Sequence, residues 1–299
     1  MRILFIADVP NWCFDKMGKA LQKYGKNEYT IKYGRKDKYK SAFKDCDKFD
    51  LILYPVDVRP DYILKFKPPK EKLIMLIRSD VFKTTQKKRI DFYANREILS
   101  NRCDKFFMAN NTLKDLFESR YEGKFYYAPG GYDSDTFKYE KKNWHTSLVV
   151  GWAGSRKNFG SNIRGIGIIE EACKIAGCEF KPAYREDKWR TPEEMAAYYK
   201  EIDVFVDLYT APGRQNGLLE AGACGCPIIG IDAGISRELI GSDNGLIIQR
   251  RTRNLVFAIN RIRDNLNRYS NNISKEVETN WKWETHVKQW EKYMEECRV

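Results

Sequence analysis

Two glycine-bearing loops and one isolated carboxylate are the parts of this sequence best suited to chemistry. The first loop spans residues 151–160 and offers Gly154, Ser155, Arg156 and Lys157, with Arg164 about a helical turn further on. The second, residues 212–217, reads PGRQNG and feeds an apolar helical stretch that carries Glu220. Each follows an apolar, β-branched run, so each stands at the carboxyl end of a predicted strand, where open α/β sheets bind ligands. A helix N-terminus entered from such a loop presents free amides and the positive end of the helix dipole, and an arginine adds charge-assisted hydrogen bonds. Both loops therefore suit an anion such as a phosphate. Charged residues are usually exposed, so spacing alone leaves Glu220 between a solvated surface position and a functional one.

Several chemistries find no support. Neither loop fits G-x-x-x-x-G-K-[ST], and there is no strict G-x-G-x-x-G. No serine sits in G-x-S-x-G, which counts against an α/β-hydrolase. The two histidines, His145 and His286, fall in a polar stretch and in the last helix, so neither a histidine base nor a histidine-rich metal site is expected. Asp133-Ser134-Asp135 has D-x-D form but lies in a polar segment away from a strand end, which favours a turn over a cation site. Cys224 and Cys226 make a C-x-C with no second pair. All eight cysteines read as reduced, mostly buried thiols of a cytoplasmic protein.

The elements that must position these residues alternate between strand and helix. Strands are predicted at 2–8, 28–33, 50–54, 72–77, 105–109 and 125–128, with helices at 14–24 and 113–120 and helical patterns up to residue 102. Pro129-Gly130-Gly131 marks a turn, and the polar segment 133–144 reads as a linker. The alternation then restarts, with strands at 147–153, 178–182, 203–208 and 226–231 and a last one ending near Ile248. Helices are predicted at 163–176, 193–199, around Glu220, at 253–266, and over a single tail from 273 to 296 bearing Trp281, Trp283, Trp290 and Tyr293. Thr191 and Glu194 have capping-box spacing, with Pro192 at the first helical position. The pattern predicts an α/β chain of two Rossmann-like domains, residues 1–138 and 139–275, followed by a helix over 276–299.

A chain of 299 residues with 42% apolar residues can build two real cores. It has no apolar run of about 18 residues, and MRILFIADVP reads as a buried strand rather than a signal peptide. The net charge of +12 is uneven: residues 1–140 carry 29 Lys and Arg against 20 Asp and Glu. That surplus suits a polyanionic partner, nucleic acid or an anionic membrane surface, or else plain solubilising lysine.

The phrase GRQNGLL-Glu220-AGACGCP, followed by GIDAGISREL and SDNGLII, resembles the signature segment of retaining GT-B glycosyltransferases of family four, with its E-x7-E pattern. FYYAPGGYDSDTF resembles that family's entry into the linker. VVGWAGS with IRGIGIIEEA resembles its donor loop, and CDKFFMANNTLKDLF resembles a further segment, so the likeness runs in order from residue 103 to 248. It implies a GT-B fold, two Rossmann-like domains facing a cleft, with the terminal helix crossing back to the N-terminal domain. It also implies transfer of a sugar from a nucleotide-diphosphate donor, a UDP-sugar, with no metal or other cofactor required.

The same resemblance implies the site. Glu220 matches the second glutamate of E-x7-E and would hold the ribose hydroxyls. Gly217, Leu218 and Leu219 would offer amides to the diphosphate, and Gly154, Ser155 and Tyr184 would line the nucleotide. Where the family has a diphosphate-binding arginine this chain has Trp152, so Arg164, Lys157 and Arg156 become the candidate cations, Arg164 first. Pro212 replaces the first glutamate of E-x7-E, so sugar and acceptor contacts are sought in Arg214, Gln215 and Asn216 and, in the N-terminal domain, in Asp8, Arg78, Ser79 and Asp80. Lys/Arg interleaved with Tyr near IKYGRKDKYK suits DNA, in which a hydroxymethylated base would be the acceptor, as in phage-infected cells. A lipid-linked or cell-surface glycan at the inner membrane face is the alternative acceptor. The departures at Pro212 and Trp152 also suit an inactive GT-B binding module.

Overall fold

The computed structural model describes residues 1–34, 39–55, 61–78, 101–156, 164–210, 213 and 215–298. The chain forms two units, Met1–Gly130 with Trp283–Val299, and Gly131–Lys282. Unit 1 contains β1 (Arg2–Ala7), α1 (Cys13–Tyr24), β2 (Glu28–Tyr33), α2 (Tyr39–Ala42), β3 (Leu51–Pro55), α3 (Asp61–Phe66), β4 (Leu73–Ile77), β5 (Lys105–Met108), α4 (Asn111–Glu118) and β6 (Lys124–Tyr127). Unit 2 contains β7 (Val149–Gly154), α5 (Ile166–Ala176), β8 (Glu179–Tyr184), α6 (Pro192–Lys200), β9 (Val204–Asp207), α7 (Asn216–Ala223), β10 (Ile228–Gly230), α8 (Ser236–Leu239), β11 (Gly245–Ile247), α9 (Thr252–Arg263) and α10 (Leu266–Asn280). The chain then returns to unit 1 as α11 (Trp283–Glu296).

Both sheets are parallel throughout, ordered β2-β1-β3-β4-β5-β6 and β11-β10-β9-β7-β8. A parallel sheet is covered on both faces, which is why strands such as LIMLI of β4 are apolar at every position and wholly buried. The side-chain period of two sends alternate residues to opposite cores. Leu4 and Ile6 join one cluster with Tyr54 and Met108, while Ile3, Phe5 and Ala7 join the other. Strand order reverses beside β1 in unit 1 and beside β7 in unit 2. The crevices at the carboxyl ends of β1/β3 and of β7/β9 are therefore the expected binding positions.

The tail departs from the single helix predicted over 273–296. It forms α10 and α11, separated at Trp281–Lys282. Trp281 is buried in the core of unit 2, whereas Trp283 is buried in the core of unit 1. The break falls where the chain passes from unit 2 to unit 1. From Trp283 the spacing is regular, and Trp283, Val287, Trp290 and Met294 form one apolar face against Ile3, Phe5 and Phe107. The segment read as a linker also has structural duties. Tyr132 and Phe137 are buried in unit 2, and Lys142 Nζ donates to the carbonyls of Tyr199 and Ile202 at 2.6 Å each. The first passage between units falls at 130/131.

Candidate active site

In unit 2, β7 ends at Gly154, whose φ of +157° places it in backbone space open to glycine. Ser155 follows, buried, with its hydroxyl donating to the Glu186 carboxylate, and the Arg156 amide reaches the same carboxylate at 3.1 Å. The Arg156 side chain turns to Asp187 and lies over the Tyr184 ring at 4.1 Å. Ser155, Arg156 and Tyr184 are thereby locked into one cluster on the β8 side of the crevice.

The β9 side gathers a second cluster. Arg164 lies over the Tyr209 ring at 4.1 Å and acts electrostatically on Asp207, the last residue of β9. Burial pushes the Asp207 carboxyl up, opposed by Arg164, by the Tyr209 amide at 3.0 Å and by a hydrogen bond from Gln215. Gly165, at φ +73°, lets the chain turn where Arg250 packs close, and Arg250 Nε caps the Leu208 carbonyl at 3.0 Å. Two guanidinium-bearing residues thus converge on the carboxyl end of β9. That is an arrangement able to hold a diphosphate.

The helix after β9, α7, starts at Asn216, so the amides of its first turn lack intrahelical acceptors. Of the three amides expected to serve a phosphate, that of Leu218 already donates to the Gln215 carbonyl at 3.1 Å. Gly217 and its neighbour Asn216 are better placed at the first turn. The side chains of Leu218 and Leu219 are buried in the core. Gly217 is small where a Cβ would come within 3.1 Å of Phe205. Gln215 is buried, with Oε1 lacking a hydrogen-bond partner among the described residues, and the same holds for Asn216 Oδ1. Buried polar atoms are normally satisfied, so both atoms suit a polar ligand at this point. Glu220, one turn along α7, is half-buried and accepts from the Tyr199 hydroxyl at 3.2 Å. Burial, and then the Glu220 charge, push the Tyr199 hydroxyl well up, so it serves as a fixed donor.

Trp152 is buried in the core behind this edge, its backbone held by the Tyr198 hydroxyl at 3.0 Å. It contributes packing where the resemblance led one to expect a charge. Asp133 accepts from the Asp135 amide at 3.1 Å and the Thr136 hydroxyl at 2.8 Å, the geometry of a turn, as expected for that D-x-D. No group of three or more metal-binding side chains occurs among the described residues. All eight cysteines are free thiols.

In unit 1 the β1/β3 crevice holds Asp8, buried, with Oδ1 unpartnered among the described residues. Burial raises its carboxyl, and Asp15 adds to the rise. Asp15 is fully buried, yet hydrogen bonds from Lys19, Tyr33 at 2.5 Å and the Asn11 amide at 2.7 Å outweigh burial and lower its carboxyl. Arg78, just past β4, lies over Phe14 at 5.3 Å and beside Met17. Asp8 and Arg78 both approach the start of α1. Ser79, Asp80, Lys157, Pro212 and Arg214 lie outside the described residues. Reading the sequence missed Asp207, Tyr199, Glu186 and Arg250. Only Asp207 carried a signal, as a charge closing an apolar strand.

Residues 169–265 match the protein family described as glycosyl transferases group 1, a segment that runs from α5 past α9 and includes Glu220. No curated protein matches the chain in sequence. Among solved structures, Anabaena HepE in complex with UDP-glucose superposes with a TM-score of 0.73 at 12% identity, covering 99% of this chain and 100% of that one. Sucrose-phosphate synthase from Thermosynechococcus elongatus gives 0.71 at 14% identity, covering 99% and 98%. The pneumococcal O-GlcNAc transferase GtfA with UDP and GlcNAc gives 0.62 at 14%, covering 83% of this chain, which spans 56% of GtfA. The fold is that of GT-B proteins, two parallel-sheet α/β domains. The matched segment, about a third of the chain, is similar to the group 1 glycosyltransferases.

Proposed function

We propose that the protein transfers a sugar from a UDP-sugar to a hydroxyl acceptor, with retention at the anomeric carbon. The observation that supports this is the carboxyl edge of unit 2, where Asp207, the first turn of α7 and Tyr199-held Glu220 lie within the family-matched segment and Arg164, just before it, acts on Asp207. Neighbours of the same fold were solved with UDP or UDP-glucose, which supports the donor class. In this reading Glu220 accepts from the ribose hydroxyls, and Arg164 with the amides of Asn216 and Gly217 stabilises the departing diphosphate. The bond from the anomeric carbon to the diphosphate breaks, the acceptor oxygen bonds on the same face, and the acceptor proton passes to the leaving phosphate. No protein nucleophile or metal enters.

The acceptor reading favoured by charge is a hydroxymethylated base in DNA, since the first 140 residues hold most of the surplus of +12. Lys40, Lys44 and Phe66 also border a depression of about 610 Å³ on unit 1. A glycan hydroxyl is the second reading, supported by sucrose-phosphate synthase, whose named product joins two sugars. The test offers a panel of nucleotide sugars with hydroxymethylcytosine DNA and with glycan acceptors, each read by mass. A hexose added to DNA supports the first reading, and addition to glycan alone the second. Arg164→Ala is expected to lower kcat/KM by about 100-fold, and Glu220→Ala by about tenfold, with the fold intact. Near-normal turnover in both variants would sink the site assignment.

A further inference from the structure

At the opposite end of β8 from the crevice, two cysteines meet through a helix stop. α5 ends with Gly177 in the left-handed region, φ +62°. Its amide and that of Cys178 both return to the Cys173 carbonyl, the latter at 3.0 Å. The Cys178 bond is that of a Schellman stop and the Gly177 bond that of an αL stop, and in such stops the residue after the glycine meets the one three positions before the helix cap. Those two places are usually an apolar pair. Here they are Cys178 and Cys173, and the Cys178 thiol donates to the Cys173 carbonyl at 3.6 Å. Cys173 is buried and Cys178 half-buried.

Packing alone would not require a charge here, yet Arg263 supplies one. Its guanidinium donates to the Ala176 carbonyl at 2.8 Å and to Asn260 Oδ1 at 2.9 Å, and from that anchored position its charge acts on the Cys178 sulfur. The Cys173 thiol, and next Arg263, draw the Cys178 thiol down to about 7. Glu170, the acidic group facing the pair, acts on Cys173 in the opposite sense. Burial instead pushes Cys103 and Cys224 up to about 12 and raises Cys46. A helix carboxyl end is normally hostile to a thiolate, so the neighbouring thiol and the arginine together outweigh it and burial.

We propose that Cys178 and Cys173 form a peroxide-reactive dithiol that closes to a disulfide across the α5–β8 junction. The Cys178 thiolate attacks a peroxide oxygen; an S–O bond forms, the O–O bond breaks, and the expelled hydroxide leaves as water. The Cys173 sulfur then attacks the Cys178 sulfenic acid. An S–S bond replaces S–O, and a second water departs with the thiol proton, so the pair gives two electrons and the peroxide takes both.

The test treats the full-length reduced protein with hydrogen peroxide, alkylates it with iodoacetamide and digests it with trypsin. Lys174 lies between the cysteines, so the disulfide appears as two linked peptides lighter by two hydrogens than their sum. Separately, Cys178 at pH 7 is expected to alkylate about fivefold faster than Cys46, its gain in thiolate being partly offset by weaker nucleophilicity. Arg263→Gln should remove that advantage. Absence of linked peptides, with sulfinic acid accumulating at Cys178 or both thiols staying alkylatable, overturns the proposal, as does a Cys178 rate no higher than that of Cys46.

Discussion

Glu220 sits on a helix whose neighbours Leu218, Leu219 and Ala221 are all buried, and the Tyr199 hydroxyl is what fixes its carboxylate there. A donor from a fully buried ring has little freedom, so it sets one rotamer of Glu220 before any ligand arrives. Tyr199→Phe removes that hydrogen bond and keeps the ring. The expected result is a rise in donor KM of about tenfold with kcat changed far less, as befits lost preorganisation worth about 1.4 kcal/mol. Steady-state kinetics over a range of donor concentrations checks it; an unchanged KM would make Tyr199 a packing residue. At this scale the sequence was informative where local grammar exists. Glu220 and Arg164 stand next to glycine loops and could be picked out. Asp207 looked like the end of a strand, and Arg250 like one of several surface arginines. Their placement follows from strand order, which no local spacing encodes.

Elements were the most legible level. The continuous apolar runs of β1, β3 and β4 can only be strands covered on both faces, and Thr191, Pro192 and Glu194 mark the start of α6. That start has the full reciprocal capping box, the Thr191 hydroxyl accepting from the Glu194 amide at 3.2 Å and Glu194 accepting from the Thr191 amide at 2.9 Å. Thr191→Ala should cost about 1 kcal/mol of unit 2 stability, measured by urea denaturation, without altering the sheet. The tail was misread because helical residues lie on both sides of the break and neither glycine nor proline marks it at Trp281-Lys282. Periodicity reports which residues are buried and is silent on which core buries them.

For the whole molecule, α11 joins the chain's last residues to its first. Trp290 Nε1 donates to the Pro129 carbonyl at 2.9 Å. The buried Glu291 Oε1 accepts from the Lys26 amide at 2.7 Å, the Asn27 amide at 3.0 Å, Asn27 Nδ2 at 2.9 Å and the Tyr29 hydroxyl at 3.0 Å. Glu291→Ala strands these donors together with a cavity, at a cost of about 3 kcal/mol to unit 1. In a calorimetric scan the transition of unit 1 should move down while that of unit 2 stays in place, because two cores need not melt together. A shift of both transitions would show that Glu291 supports more than its own unit.

That return of α11 also orders events during synthesis. Unit 2 is contiguous in sequence, whereas unit 1 is split around it. On the ribosome, unit 2 can close once residue 282 has cleared the exit tunnel. Unit 1, although its first part is translated before unit 2, cannot cover Phe107 with Trp290 until α11 has been made. The apolar surface most in need of a chaperone thus belongs to the unit that is made in two parts.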